Sequence, residues 1–130
     1  MPKVLITTVP FGDKNRLPLE LLESAGIECL INPLNKKLTE SQLTDMITDF
    51  DVIIAGTEPI SEKVMKRASK LKLISRVGIG LESVDLISAQ KWGIKVSYTP
   101  DAPAPAVSEL TLGLMLCLLR SVHVSNAQMH

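Results

Sequence analysis

The sequence predicts an α/β fold, an open and doubly wound parallel sheet with the element order βαβαβαβαβ. Five short aliphatic runs recur at intervals of about 20 to 25 residues, which leaves room for one strand, one helix and two turns. These runs are apolar throughout rather than alternating, as in strands that crossover helices bury on both faces. Segments with helical periodicity lie between the runs, and right-handed crossovers favour the doubly wound arrangement.

The predicted strands occupy residues 4–6, 27–31, 52–55, 73–77 and 94–96. The first helix follows at residues 17–25, where the spacing of Leu21, Leu22 and Ala25 indicates one buried side. Gly26 is expected to end this helix in a left-handed conformation, because a residue without Cβ adopts it at little cost.

Polar residues punctuate the other predicted helices. Thr39 and Gln42 form a capping-box pattern at the start of the second helix. Ser61 precedes the third helix, whose lysines and arginine are interpreted as a solvated face rather than a phosphate patch. Ser83 is expected to cap the fourth helix, which Gly93 closes before the last strand.

The charges of the chain balance, with 14 Lys and Arg against 14 Asp and Glu. No net field therefore attracts nucleic acid or an anionic membrane, and a small partner fits better. The chain has only two cysteines, Cys29 and Cys117, which lie far apart inside apolar runs. We interpret them as reduced thiols in the core. The start of the chain lacks the pattern of a signal peptide, and the apolar run at 110–119 is too short to span a bilayer, so the cytoplasm is expected.

The character of the sequence changes after residue 96. Prolines at 100, 103 and 105 predict a stiff extended connector, because each removes a donor and fixes φ. A long helix is expected to follow from Ser108, with Leu110, Leu114 and Leu118 among apolar residues on nearly every side. Such a helix needs cover, so we expect either another chain or a further domain to bury it.

Ligands of open α/β sheets bind beyond the carboxyl ends of the strands. Two predicted strand ends carry small residues there, Gly56-Thr57 after the third strand and Gly78-Ile79-Gly80 after the fourth. The second loop is expected to lead into a helix N-terminus, which favours an anion such as a carboxylate. The plainer alternative is that these glycines only permit a tight turn. A dinucleotide fingerprint is excluded by spacing, because Ser83 stands where its third glycine would be.

Four stretches in this order resemble the D-isomer-specific 2-hydroxyacid dehydrogenases, nearest to the phosphoglycerate dehydrogenase and glyoxylate/hydroxypyruvate reductase types. They are residues 75–86 (SRVGIGLESVDL), 92–96 (WGIKV), 98–101 (YTPD) and 107–115 (VSELTLGLM). The resemblance implies a flavodoxin-like substrate domain and hydride transfer between a 2-keto or D-2-hydroxy acid and NAD or NADP, with 3-phosphoglycerate as one candidate substrate.

The resemblance also implies roles for particular residues. Backbone amides of Ile79 and Gly80 would hold the substrate carboxylate, and Gly78 would shape the turn. A second polar pair falls on Gly56 and Thr57, where the family often has Arg-Ser. Glu82 and Ser83 stand where the family has Asp and Asn.

By the same resemblance, residues 1–98 would be the substrate-binding domain, 99–107 an interdomain hinge and 108–130 the first helix of an NAD-binding domain, truncated here, with a homodimer formed through that helix. The catalytic Arg, Glu and His and the Gly-x-Gly-x-x-Gly of the family would follow residue 130, so no catalytic or metal-binding residue is assigned here and the chain alone is expected to be inactive. His123 and His130 are interpreted as surface residues. A free-standing regulatory or acid-binding module without catalysis remains the alternative.

Overall fold

The computed structural model describes residues 1–130, with five strands and six helices. The strands are β1 (Lys3–Ile6), β2 (Glu28–Ile31), β3 (Val52–Ala55), β4 (Leu73–Arg76) and β5 (Lys95–Ser97). The helices are α1 (Leu17–Ser24), α2 (Glu40–Met46), α3 (Glu62–Arg67), α4 (Leu86–Lys91), α5 (Ala104–Leu119) and α6 (Val122–Met129), with a 3-10 turn at Ile47–Asp49. The predicted alternation is confirmed through β5.

All neighbouring strands are parallel, in the order β2-β1-β3-β4-β5. The predicted open parallel α/β sheet is therefore confirmed, in the flavodoxin-like order. From β1 the chain crosses to one side to form β2, and from β3 it proceeds to the other side. The loops after β1 and β3 consequently diverge and leave a crevice between them.

The core lies on one face of the sheet. Leu5, Ile53, Ile74 and Val96 stand directly opposite one another on four adjacent strands, and the first three are fully buried. Buried side chains of α2, α3 and α4 cover this row; they include Leu43, Val64 and Ala89. Each large aliphatic side chain buried in this way contributes about 1.5 to 3 kcal/mol.

The other face is less covered than the sequence suggested. Val4 and Ile6 of β1 are buried there, whereas Val52 and Ile54 of β3 are only half-buried. α1 buries no residue completely, and Leu21, predicted on its inner side, is 59% exposed. The prediction for α1 was wrong because this helix packs beside the edge strand, which offers cover on one side only.

Most predicted helix ends are confirmed. The Thr39 hydroxyl accepts a hydrogen bond from the Gln42 amide at 3.3 Å, and the Gln42 side chain accepts one from the Thr39 amide at 3.0 Å. Gly26 has φ +69° at the end of α1. Ser83 does not cap the fourth helix, because Val84 pairs with Ile60 in an isolated parallel bridge and the helix starts later.

The chain divides into two compact units, Met1–Thr99 and Pro100–His130. In the second unit, α5 begins at Ala104 rather than at Ser108. Pro103 and Pro105 belong to the start of the helix, where the missing N–H of proline costs no hydrogen bond within the helix. The helix predicted to run to residue 130 is two helices. Ser121, with φ +51°, separates them at a bend of 64°.

Every side chain of the second unit is exposed, including Cys117, which was predicted to lie in a core. Cys29 is half-buried on β2. No single helix combines the length and apolar composition needed to cross a membrane; only the bent pair α5 and α6 reaches both together.

Candidate functional site

Two loops meet at the carboxyl end of the sheet. The first loop, residues 56–60, follows β3, and the glycine loop, residues 78–83, follows β4. The strands stay joined up to the loops, since the Val77 amide donates to the Ala55 carbonyl at 2.9 Å. The loops are joined again at their far ends, where the Ile60 amide donates to the Ser83 carbonyl at 2.7 Å. Both loops are therefore held at either end by backbone hydrogen bonds.

Gly78 occupies a conformation that other residues rarely adopt, with φ +140°. The backbone conformation therefore favours glycine, and a Cβ at this position would also displace the Arg76 guanidinium, since it would lie 2.7 Å from Nη1. The Gly78 carbonyl accepts a hydrogen bond from the Thr99 amide at 2.9 Å, which fixes the turn.

The amides of Gly78, Ile79 and Gly80 donate to no acceptor in the protein. Ile79 is 51% exposed, so this segment faces solvent. Successive free N–H groups in a turn form a concavity that binds anions. The glycine loop can therefore accept a carboxylate through its backbone.

The surroundings of the glycine loop carry both charges. Arg76 lies beneath Gly78, is 8% exposed and donates through Nη1 to the Val77 carbonyl, while its Nε has no partner. Glu82 folds back so that a Cβ on Gly80 would overlap its carboxylate. Arg76 is buried and Glu82 is exposed. Solvent therefore screens the repulsion between Glu82 and a bound anion more strongly than the attraction between Arg76 and that anion.

The sequence suggested that the glycine loop leads directly into a helix, and this prediction was wrong. Asp85 caps α4 by accepting a hydrogen bond from the Ser88 amide at 3.0 Å, and the helix begins only at Leu86. Hydrogen bonds from the Ser88 side chain and amide lower the pKa of the Asp85 carboxyl below its ordinary value. An anion at the glycine loop would thus contact loop amides rather than the end of α4.

The first loop contains a residue that sequence reasoning missed. Glu58 is 1% exposed, and its Oε1 accepts hydrogen bonds from the Gly56 amide at 3.1 Å and from the Thr7 hydroxyl. Gly56 is half-buried and Thr57 is exposed. An acidic residue between a buried strand and Pro59 was the available signal, because carboxylates are rarely buried without a partner.

A cavity of about 90 Å³ opens between the ends of β1 and β3. It is lined by Thr7, Thr8, Val9, Lys37, Gly56, Thr57 and Glu58. We call it the crevice cavity. Its position is the topological switch point of the sheet, where open α/β folds bind ligands. A larger cavity, of about 570 Å³, lies near Lys3 and Asp49, at the amino ends of the strands. Cavity size alone therefore does not locate the site.

The predicted site residues thus lie at adjacent strand ends, Gly56 and Thr57 after β3 and the amides of residues 78–80 after β4. Both histidines, His123 and His130, are exposed and belong to the second unit.

Residues 8–128 match the family described as D-isomer specific 2-hydroxyacid dehydrogenase, catalytic domain. The chain belongs to this family. It is 34% identical to D-3-phosphoglycerate dehydrogenase of Methanocaldococcus jannaschii over 99% of its own length and 23% of that relative. It is 36% identical to hydroxypyruvate reductase of Thermotoga maritima over 72% of its own length and 30% of that relative.

A solved structure gives the same result for the fold. NAD⁺-bound 3-phosphoglycerate dehydrogenase of Entamoeba histolytica superposes with a TM-score of 0.79 at 30% identity, over 89% of this chain and 38% of that one. This member of the D-2-hydroxyacid dehydrogenase family therefore spans about a quarter to two fifths of the relatives it matches.

Proposed function

We propose that this chain supplies the substrate-binding part of an NAD-dependent D-2-hydroxyacid dehydrogenase, an oxidoreductase that interconverts 2-keto acids and D-2-hydroxy acids. The observation that carries the proposal is the set of three free amides at Gly78, Ile79 and Gly80. Membership of the family supports the class of reaction. Every such substrate carries a carboxylate, and the free amides can donate hydrogen bonds to it.

The chemistry of the glycine loop suits this role. Hydrogen bonds from N–H groups to an ionised carboxylate are stronger than bonds between neutral groups. The Arg76 guanidinium beneath the loop adds a buried positive charge close to the amides that would hold the anion. The first loop stands one strand away, so Gly56 and Thr57 would contact the remainder of a small acid.

The cofactor is proposed to be NAD, with NADP as the alternative. The residues of this chain do not form a cradle for its pyrophosphate, because Ser83 replaces the third glycine of the fingerprint. Val84 then enters a bridge with Ile60 instead of starting a helix. Other residues of a longer protein would hold the cofactor, and no step of hydride transfer is assigned to the residues described above.

The proton-transfer group of the reaction is likewise not assigned within the Met1–Thr99 unit. That unit contains no histidine, the commonest general acid and base. The chain alone is therefore expected to bind a 2-keto acid without reducing it. NADH absorbance after mixing with hydroxypyruvate should stay constant, and steady NADH oxidation would contradict this expectation.

Binding can be tested by nuclear magnetic resonance on the ¹⁵N-labelled chain. Titration with D-glycerate should shift the amide signals of Ile79 and Gly80 in a saturable way. Glycerol, which has the hydroxyls but no carboxylate, serves as the control and should leave these signals in place. Equal shifts with both compounds, or none with D-glycerate, would refute the proposal.

We further propose a homodimer through the helical segment at residues 108–130. α5 has apolar side chains all round, and Leu112, Met115 and Leu118 are each more than half exposed. An apolar surface of this extent is typical of an interface between chains. A second copy fits because most oligomers of soluble proteins are symmetric pairs.

A further inference from the structure

The crevice cavity beside the glycine loop contains a buried carboxylate. Oε1 of Glu58 already accepts two hydrogen bonds, from the Gly56 amide and the Thr7 hydroxyl. Oε2 has no donor within the protein. One oxygen is therefore fixed by the fold, while the other remains available to a donor that enters the cavity.

The charges that line the crevice cavity are unequal in effect. Lys37 is its only cationic residue and Glu58 its only anionic one. Lys37 is exposed, so water and salt screen its charge, whereas Glu58 is 1% exposed and screened far less. A ligand group in the cavity would therefore experience a net negative environment.

The cavity and the glycine loop are close enough for one small molecule. The cavity opens between β1 and β3, and the glycine loop follows β4, which is the next strand. Neighbouring strands lie about 4.8 Å apart, so the two places are separated by about 5 to 10 Å. With a hydrogen bond of about 3 Å at either end, an acid of three or four carbons can bridge this distance with its carboxylate at the glycine loop.

We propose that Glu58 determines specificity by selecting 2-hydroxy and 2-keto acids whose far end carries an uncharged hydroxyl over acids that carry a phosphate there. This inference rests on the proposed function, because it places the carboxylate of the acid on the glycine loop. A hydroxyl donates a hydrogen bond to Oε2 of Glu58. A phosphate meets a buried like charge and is mostly doubly ionised at neutral pH, so it seldom has a proton to donate and the site disfavours it.

The test compares three acids that differ only at the far end: D-glycerate with a hydroxyl, D-3-phosphoglycerate with a phosphate and D-lactate with a hydrogen. Dissociation constants come from the shifts of the Ile79 and Gly80 amide signals. D-glycerate is expected to bind at least tenfold more tightly than D-3-phosphoglycerate, with D-lactate between them. This comparison uses the unsubstituted chain and does not depend on the folding of any variant.

The variant Glu58→Gln removes the charge and keeps an oxygen that can accept from Gly56 and Thr7. It is expected to reduce the preference for D-glycerate over D-3-phosphoglycerate at least fivefold. Glu28→Gln removes one negative charge at the amino end of β2, away from the crevice cavity, and should leave the preference for D-glycerate unchanged.

Two results would count against the inference. Equal or tighter binding of D-3-phosphoglycerate by the unsubstituted chain would overturn it and leave the proposed function intact. If Lys37→Gln then abolished that binding, Lys37 rather than Glu58 would set the specificity. Absence of Ile79 and Gly80 shifts with all three acids would overturn both this inference and the proposed function.

Discussion

The carboxylate of Glu58 occupies the space that a side chain at Gly56 would need, since a Cβ there would lie 2.9 Å from Oε2 of Glu58. The same Cβ would lie 3.4 Å from Cα of Thr8. The family resemblance places Arg-Ser at residues 56 and 57, and a side chain at position 56 would require the Glu58 carboxylate to shift. Glycine at position 56 thus leaves room for the Glu58 carboxylate.

Gly56→Ala is expected to lower the free energy of unfolding by about 1 to 2 kcal/mol, because the added methyl group overpacks a buried site. In a Glu58→Ala background the same change should cost less than about 0.5 kcal/mol, because the clashing oxygen is gone. Urea denaturation of the four proteins measures this coupling. An equal cost of Gly56→Ala in both backgrounds would show that Glu58 does not set the requirement for glycine.

Gly78→Ala is expected to abolish the D-glycerate-dependent shifts of Ile79 and Gly80, because the loop cannot keep φ +140° with a Cβ. Gly93→Ala is the matched control. Gly93 also has a positive φ, of +66°, but no atom lies within 4 Å of the added Cβ. The Gly93→Ala variant should lose about 1 kcal/mol of stability from backbone strain and still bind D-glycerate. Loss of binding in both variants would indicate general unfolding rather than a role for the loop.

Acid should destabilise the fold partly through Asp85. Its folded-state pKa is lowered by the hydrogen bonds from Ser88, so its contribution to stability is complete above the unfolded pKa of about 3.9 and disappears as pH falls through the folded value. Asp85→Asn should therefore reduce the pH dependence of stability below about pH 5. Urea denaturation between neutral and acid pH measures it. Asp13→Asn, a change at an exposed carboxylate with no hydrogen bond, is the control for removing one acidic side chain.

The proposed dimer predicts a sedimentation mass of twice that of one chain at micromolar concentration. Leu112→Glu together with Leu116→Glu places two charges on α5 and should give a monomer. Lys36→Glu, a charge change at an exposed residue of the first unit, should leave the dimer in place. A monomer for the unsubstituted chain would refute the proposed interface.

The sequence predicted the three central strands well because their apolar residues are buried against the core. β3 was predicted at the residues where it lies, and both site loops follow from the strand ends. Pairwise contacts between distant residues could not be predicted in this way. The bridge between Ile60 and Val84 displaces the start of α4, and the burial of Glu58 depends on Thr7, 51 residues away.

The helical segments show the same limit. Local signals located the capping box at Thr39, because both of its partners lie within one turn. The exposure of Leu21 depends on where α1 sits relative to the edge of the sheet, which no local pattern encodes. The left-handed Ser121 that divides the last helical segment also lacks the glycine that would have signalled it.

The two loops of the site follow strands that become neighbours only in the folded sheet, through bonds such as that between Val77 and Ala55. In the unfolded chain the glycine loop and the crevice cavity therefore do not exist as neighbours. A small acid that touches both would bind the native chain alone and would raise its melting temperature in proportion to the logarithm of its concentration. Thermal shift screening with unrelated carboxylic acids could consequently identify the natural metabolite without any assay of turnover.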